Sequence, residues 1–589
     1  MKYIYISLLI LTLSLSAQSV KLQIVETSDV HGAIYPYDFT SAKETGGSLS
    51  RVITYLNEER QKPDQEVILL DNGDILQGTP AVYYYNYEKP EAEHLYARVM
   101  NYMQYDAGTV GNHDIETGHA VYDKFRMEIN FPWLAANAVD TINNKPYFEP
   151  YTILNKSGIK IAVFGMITPG IPNWLPYNIW SGIDFQDMIK VAKEWIPKII
   201  EKEKPDLLIG LFHSGVDYTY GNETATTPRN ENACKLVAQQ VPGFDIIFVG
   251  HDHKTWDFYE VNNQGDSVLV MGPTNSARNI ATATVNFTYD DDAQSWKKNI
   301  SGKIVDMKNY SPDSLFLVKF HNEFEEVNKY VSRSIGTLED DIDSRYSIFG
   351  DASFSDLIHH IQLDITHADV SFTAPLSMNT KLKKGKIYVR DMFNLYRYEN
   401  LLYSMKLTGE EIDKYLEYSY ALWFNQMKSK DDHLLLFQKD EKGNLIWSER
   451  YHTPELKNRF YNFDSAEGIE YTVDVSKPVG DKVTITGFSN GRPFYSDSTY
   501  VVAVNSYRGN GGGGHLTTGA GISKDDLTKR MIFSTDKDLR FYLMKWIEKE
   551  KDIKPYCSHN WKVIPADWYN TAKEKDFDLL YGKKNKISR

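Results

Sequence analysis

The chain has 589 residues, 42% of them hydrophobic and 24% charged, with a formal net charge of −14. That length exceeds one ordinary core and predicts two domains of unequal size, and the composition is that of a folded protein rather than a disordered one. The acidic balance argues against a binder of nucleic-acid polymers, which needs clustered Lys and Arg, and suits a small anionic substrate only where a metal supplies positive charge locally.

The N-terminus, "MKYIYISLLILTLSLSAQS", places one Lys before an apolar run that ends in small residues. That is the pattern of a cleaved secretory signal, here residues 1–17, and it is too short for a convincing membrane span. No cysteine stands near its end to carry a lipid, so the mature protein is expected to be exported and soluble, in the periplasm. The only two cysteines, Cys234 and Cys557, are far apart in sequence. They are expected as separate thiols and cannot form a cysteine-based zinc site.

From about residue 20 to 290, short apolar runs alternate with helical patterns. The runs include "LQIVET", "VILLD", "IKIAVFGMI", "DLLIGLF", "DIIFVG" and "SVLVMG", and the helical stretches include "GGSLSRVITYLNEERQK" and "MIKVAKEWIPKIIEKEK". Short Val, Ile and Leu strands between amphipathic helices predict an α/β layered domain with a largely buried sheet over residues 18–310. Residues 311–333 read as one polar helix that connects two domains. Beyond it, "GDASFSDLIHHIQLDITHADVSF" reads helix then strand, and a Tyr-, Gly- and Asn-rich region follows. Residues 334–589 are therefore expected as a second α/β domain, with a Lys-rich disordered tail after Gly582.

The strand ends share a chemistry. "LQIVETSDVHG" ends in Asp29 and His31, "VILLDNGDILQG" in Asp74, and "GTVGNHD" in Asn112 and His113. "LLIGLFHSG" ends in His213, and "DIIFVGHDH" in His251 and His253. Ligands of open α/β sheets collect beyond the carboxyl ends of strands, so these five loops are expected to converge. Nitrogen and oxygen donors without thiolate suit two divalent ions of the zinc or manganese kind better than calcium. A close pair of ions needs a bridging carboxylate, and Asp74 is the natural choice. Asp29, His31 and His253 then complete one site, and Asn112, His213 and His251 the other. A lone strand-end His is more often a hydrogen-bonded structural residue, and "HDH" or "DNGD" alone is weak. Five strand ends in order, all bearing metal-competent groups, outweigh that reading.

"SDVHG", "GDILQG", "GNHD", "HSG" and "GHDH", in this order and spacing, resemble the calcineurin-like metallophosphoesterases. Within them the chain is similar to the secreted 5′-nucleotidase and 2′,3′-cyclic-nucleotide phosphodiesterase family, over nearly its whole mature length. The resemblance implies a four-layer metallophosphoesterase sandwich followed by an α/β 5′-nucleotidase C-terminal domain. It also implies two divalent metal ions (Zn, Mn or Co) and in-line attack of an ion-activated water on phosphorus. His113, next to Asn112, is implied as a group that stabilises the transition state or assists the leaving oxygen without binding metal. Family members often orient this His with an Asp three residues on. Here that position is Glu116, with Asp114 nearby, and either carboxylate is a candidate.

In the second domain, Tyr461 or Phe463 together with Tyr507 is expected to sandwich a base, each face contributing roughly 1–3 kcal/mol. With 40 Tyr in the chain, packing in a core or loop is the competing reading. The glycine run in "VVAVNSYRGNGGGGHL" lacks the Gly-Lys-Ser/Thr of a P-loop, so its plainer role is close approach of backbone to a ligand. Many 5′-nucleotidases carry Gly-Gly-Asp-Gly at the end of this loop, and here Gly513 takes the place of the Asp. Where they have an arginine-bearing turn, this chain has "APLSMNTKLKKGKI". "YNFD", "NLYRYEN" and "NSYRGNGGG" are instead similar to the cyclic-nucleotide phosphodiesterase and 3′-nucleotidase branch. Asp464, Arg508 and Asn379 join the substrate-binding candidates. "KLKKGK", residues 381–386, reads as a solvated hairpin turn.

The expectation is an exported, monomeric, dinuclear phosphoesterase that opens 2′,3′-cyclic nucleotides and dephosphorylates 3′-nucleotides, with no nucleic-acid polymer and no membrane span among its partners. Substrate is expected between the domains, delivered to the metals by rotation about the 311–333 helix. A 5′-nucleotidase or nucleotide-sugar hydrolase is the enzyme alternative. A nucleotide- or metal-binding protein without turnover is the other class, and His113 counts against it.

Overall fold

The computed structural model describes residues 19–291, 294–448 and 452–582. The export signal read at residues 1–17 and the tail after Gly582 lie outside them. No helix among the described residues is long and apolar enough to cross a membrane.

The first part of the chain forms two six-stranded sheets. In one, Ser19–Thr27, Glu66–Asp71, Ala107–Thr109 and Trp133–Leu134 run parallel, and the antiparallel ribbon Asn279–Asp290 with Ser295–Asp306 completes the edge. In the other, Ile159–Ile167, Leu207–His213, Ile246–Val249 and Ser267–Gly272 run parallel, with antiparallel strands Tyr151–Lys156 and Trp256–Val261 at its margins. The sheets pack face to face through Ile24, Leu70, Ile161 and Phe248, all fully buried. Helices Leu49–Arg60 and Leu95–Met103 cover one outer face, and Met188–Glu203 and Cys234–Gln240 the other. The result is a four-layer α/β/β/α sandwich. Strands buried on both faces have to be apolar throughout, which is why these runs read as continuous Val, Ile and Leu rather than as alternation.

The segment expected as one polar connecting helix is two helices, Ser314–Lys319 and His321–Val331, broken at Phe320 (φ −106°, ψ 21°). Asp313 caps the first by accepting from the Phe316 N–H at 2.8 Å. Phe316, Phe320, Val327 and Val331 are all 0% exposed and belong to the core of the first sheet's outer face. The break turns the Phe316 and Phe320 rings onto each other, 4.9 Å apart. Burial of these four side chains, not propensity along the run, decides the local shape.

The second part centres on a five-stranded mixed sheet in the order Ser465–Glu467, Val370–Thr373, Thr499–Asn505, Leu402–Thr408, Met531–Ser534. Helices Ser353–Thr366, Gly409–Trp423 and Leu539–Glu550 pack around it. The stretch "KLKKGK" is not a hairpin. Lys381–Leu382 pairs with Ile342–Asp343, whereas Gly385–Tyr388 pairs with Ser334–Leu338, and Lys381 and Lys383 reach Asp341. The two parts meet at residues 80–88: the Tyr83 ring lies edge-on to Phe393 at 5.3 Å with the Arg540 guanidinium 5.0 Å above it, and the Tyr87 hydroxyl donates to Glu399 Oε2 at 3.3 Å.

Candidate metal centre

All the parallel strands that precede the five loops end on one side of the sandwich, so their loops meet across both sheets. Asp29, His31, Asp74 and His253 place one ligand atom each within 4.8 Å of one another. On the other side of Asp74, His213 Nε2 lies 3.2 Å from Asp74 Oδ2 and 3.1 Å from Asn112 Oδ1, and His251 Nδ1 lies 2.8 Å from the same Asn112 oxygen. The structure thus gathers all seven side chains read from the strand ends, with Asp74 central.

The backbone is bent to present them. Asp29, His31, Asp74, His251 and His253 all have positive φ, between 50° and 73°. Left-handed backbone at non-glycine residues costs of order 1 kcal/mol or more each and collects where structure serves a site. Gly111 has a steric reason: a Cβ there would stand 2.2 Å from Asp74 Oδ1.

The far nitrogen of each of the four imidazoles is engaged, that of His253 by Asn275 Nδ2 at 3.2 Å and those of the other three by acceptors. His31 Nδ1 is 3.0 Å from the Gln77 carbonyl, His213 Nδ1 2.6 Å from the Asn72 carbonyl, and His251 Nε2 3.0 Å from Glu231 Oε1. Acceptors there hold the N–H on the far side, leaving the near lone pairs facing inward. His31 Nε2 faces His253 Nε2 at 3.1 Å, and Asp74 Oδ2 is buried without a hydrogen-bond donor. Two fully buried carboxylates ringed by imidazole nitrogens are costly without a cation, and the N/O donor set fits divalent ions. Burial would push the Asp29 carboxyl up, but His253 and His213 hold it down at about 2. Burial and then His253 lower His31 to about 4.

His113 sits beside this cluster. Its ring centre is 5.3 Å from that of His31, its backbone N–H donates to Asp74 Oδ1 at 2.8 Å, and its Nδ1 is 2.5 Å from Glu116 Oε2. Of the two carboxylates expected as its orienter, only Glu116 contacts the ring. Asp114 accepts from the backbone N–H groups of Asp74, Ile75, Leu76 and Gly111 at 2.8–3.0 Å, shaping the loop instead. It is corrected from a catalytic to a loop-shaping residue.

Two family models match the chain: calcineurin-like phosphoesterase over residues 22–255 and 5′-nucleotidase, C-terminal domain, over residues 334–519. The chain joins a calcineurin-like phosphoesterase domain to a 5′-nucleotidase C-terminal domain. Membership of the first brings use of divalent metal. The 2′,3′-cyclic-nucleotide 2′-phosphodiesterase/3′-nucleotidase of Yersinia enterocolitica is 26% identical over 95% of this chain and 90% of its own length. That of Salmonella typhimurium is 25% identical over 97% and 93%. A trifunctional nucleotide phosphoesterase of Bacillus subtilis is 27% identical over 95% of this chain, which spans 40% of that longer protein. Among solved structures, a 5′-nucleotidase precursor of Thermus thermophilus shares the fold at TM-score 0.61 and 19% identity, covering 92% of this chain and 99% of that one.

The 5′-nucleotidase C-terminal domain revises several substrate-binding candidates. Phe463 is 1% exposed and stacks on Trp423 (5.4 Å, 6°), so it is a core residue and not a face for a base. Asp464 and Arg508 are a buried pair: Arg508 Nε and Nη2 donate to the Asp464 carboxylate at 2.9 and 3.0 Å. Arg508 also donates to the carbonyls of Tyr461 and Gly512 at 2.6 and 3.1 Å. These two residues fasten the Tyr461 and Tyr507 segments together and are themselves buried, Arg508 at 1% and Asp464 at 2% exposed. Tyr461 and Tyr507 keep exposed surface, and Asn379 is exposed on its own loop with its N–H turned to Ser377 Oγ. Gly513, at φ 71°, has the Arg508 Nη1 atom 2.3 Å from where a Cβ would stand. An Asp side chain at this position would have to displace the guanidinium.

Five contributors were not read from the sequence. Glu231 and the Asn72 and Gln77 carbonyls orient imidazoles, and nothing in spacing or composition marks them. Trp174 stacks on His251 (5.7 Å, 23°). Glu399, inside the quoted "NLYRYEN", reaches from the C-terminal domain toward Glu116 and His113, and burial raises its carboxyl to about 8. Its place in a quoted motif was the available signal.

Proposed function

We propose that the chain hydrolyses nucleotides, opening 2′,3′-cyclic nucleotides to 3′-nucleotides and then releasing phosphate from these. The observation that carries the reading is the inward-facing set of Asp29, His31, Asp74, Asn112, His213, His251 and His253 with the His113–Glu116 pair beside it. Asp29, His31 and His253 would hold one ion and Asn112, His213 and His251 a second, with Asp74 between the two sets; zinc, manganese and cobalt suit these donors. Divalent ions held there supply positive charge toward a phosphate and lower the pKa of a water, to about 7 for zinc. Glu116 fixes the His113 ring through Nδ1, which leaves Nε2 to give a proton to the departing ribose oxygen. Tyr461 and Tyr507 hold the base, and the Asp464–Arg508 pair sets their segments. The choice of branch rests on the relatives aligned over nine-tenths of their length and on the absence of a ribose-binding Asp at Gly513. Export by residues 1–17, and a division into domains at 18–310 and 334–589, complete the proposal.

The test is phosphate release by the purified protein, with manganese or zinc, from 3′-AMP, 5′-AMP and 2′,3′-cyclic AMP, following the 3′-nucleotide by chromatography. Turnover of the cyclic and 3′ substrates with 5′-AMP poor is the expected result. Preference for 5′-AMP would leave the metal centre standing and overturn the assignment of the C-terminal domain.

A further inference from the structure

A second cluster of ligand-type side chains lies in the C-terminal domain, on elements that contribute nothing to the centre described above. Asp351 and Asp356 stand at the start of helix Ser353–Thr366, and Cys557 and His559 in the loop between Asp552–Ile553 and Trp561–Ile564. Asp351 Oδ2 is 3.3 Å from Cys557 Sγ and 4.0 Å from His559 Nδ1, and Sγ and Nδ1 are 3.5 Å apart. Zinc bound tetrahedrally at S, N and O, with bonds of about 2.3, 2.0 and 2.1 Å, separates such ligand atoms by roughly 3.3–3.6 Å. Two of the three separations already fall in or at that range, and the third needs an exposed His side chain to move by less than 1 Å.

The surroundings point to a cation as well. The Asp351 side chain is 8% exposed and directed into the cluster, and its Oδ1 is buried with no hydrogen-bond partner. Asp356 lies close enough to Asp351 for the two carboxylates to repel and accepts the Ser558 N–H at 2.9 Å, while Glu467 accepts from Ser558 Oγ at 2.7 Å. Among the described residues, none of these three acids has a Lys or Arg within ion-pair distance. Gathered, largely buried carboxylates without a counter-charge are costly. His559 adopts φ 55°, a left-handed backbone between two ligand-type residues.

We propose that Asp351, Cys557 and His559, with Asp356 beside them, form a site for one zinc-type divalent cation, separate from the dinuclear centre. Binding transfers the Cys557 thiol proton to solvent and leaves the thiolate on the ion. The ion would staple the 554–560 loop to the helix at 353. Through Asn560 Nδ2, which donates to the carbonyls of Ala466 and Ile469 at 2.9 and 2.7 Å, that loop braces the strand following Asp464.

The test loads the full chain with Co²⁺ and records its near-ultraviolet spectrum. The seven-residue centre contains no sulfur, and Cys234 is buried with its thiol on the Ser214 carbonyl, so a thiolate-to-cobalt charge-transfer band reports Cys557 alone. The expected result is a band in the native chain, its loss in Cys557→Ser, and one bound metal ion fewer in that variant with phosphate release retained. No band in the native chain, or equal metal content in chain and variant, overturns the proposal. A second measurement needs no variant: Zn²⁺ should slow alkylation of Cys557, and an unchanged rate also overturns it. A cobalt band in a protein that releases no phosphate would uphold this site and refute the proposed function instead.

Discussion

Arg508→Met tests whether Arg508 is scaffold or substrate contact. The side chain is 1% exposed and donates four hydrogen bonds, two to Asp464 and one each to the Tyr461 and Gly512 carbonyls. Removing one partner of a buried ion pair leaves an uncompensated charge and costs about 3–5 kcal/mol. The replacement keeps most of the packed volume, so that figure is the expected destabilisation. It is read from the urea midpoint of the C-terminal transition by tryptophan fluorescence, with Trp423 stacked on Phe463 beside Asp464 as reporter. Removing both charges, in Arg508→Met with Asp464→Leu, should recover part of the loss. The pH dependence has a definite sign. Burial pushes the Asp464 carboxyl up, but Arg508 outweighs it and holds the pKa below the usual value. Its contribution is therefore complete above the unfolded carboxyl pKa of about 3.9 and is lost as pH falls through the folded one. The gap between native chain and Asp464→Asn should be full at neutral pH and close only in acid. An unchanged urea midpoint with a raised KM would refute this reasoning and make Arg508 a substrate contact.

Three other outcomes are expected. His113→Ala should lose about 10²- to 10⁴-fold in turnover with metal content unchanged by mass spectrometry; loss of metal would make His113 a ligand. Gly111→Ala should empty the metal centre, because its Cβ falls 2.2 Å from Asp74 Oδ1, while circular dichroism shows the fold intact. Tyr507→Ala should raise KM by the value of one stacked face, roughly 1–3 kcal/mol or about 5- to 150-fold, with kcat retained; an unchanged KM would remove Tyr507 from the base site.

The metal-centre residues were legible because topology does the work. Parallel strands in a doubly covered sheet send their carboxyl ends to one side, so residues at strand ends converge whatever the loops do. Asp29, Asp74, Asn112, His213 and His251 were visible on that ground alone. The C-terminal domain offers no such rule. Phe463, Asp464, Tyr507 and Arg508 occupy neighbouring motifs, and only burial separates a core ring and a buried ion pair from the two tyrosines with exposed surface. Glu231 and the Asn72 and Gln77 carbonyls act through tertiary contacts with no local signature. The 311–333 segment read as polar because its apolar residues are sparse, yet those are the ones that dock.

That docking moves the hinge. A helix anchored by Phe316, Phe320, Val327 and Val331 in the phosphoesterase core cannot itself flex between domains, so any rotation has to act after Val331, where Ser332 ends the helix and Ser334 opens a strand. In this arrangement of the chain, Lys524 of the C-terminal domain donates to Asn173, the residue before Trp174, which stacks on His251. Rotation about 332–333 would break that contact and leave the helix in place. Cysteines at 173 and 524, in a Cys557→Ser background and joined by a bismaleimide, should hold the domains together. If substrate is delivered by rotation, the cross-linked chain should lose nucleotide turnover while each single-cysteine chain treated the same way keeps it. Full turnover in the cross-linked chain would mean that nucleotides reach the metals in this arrangement, without rotation.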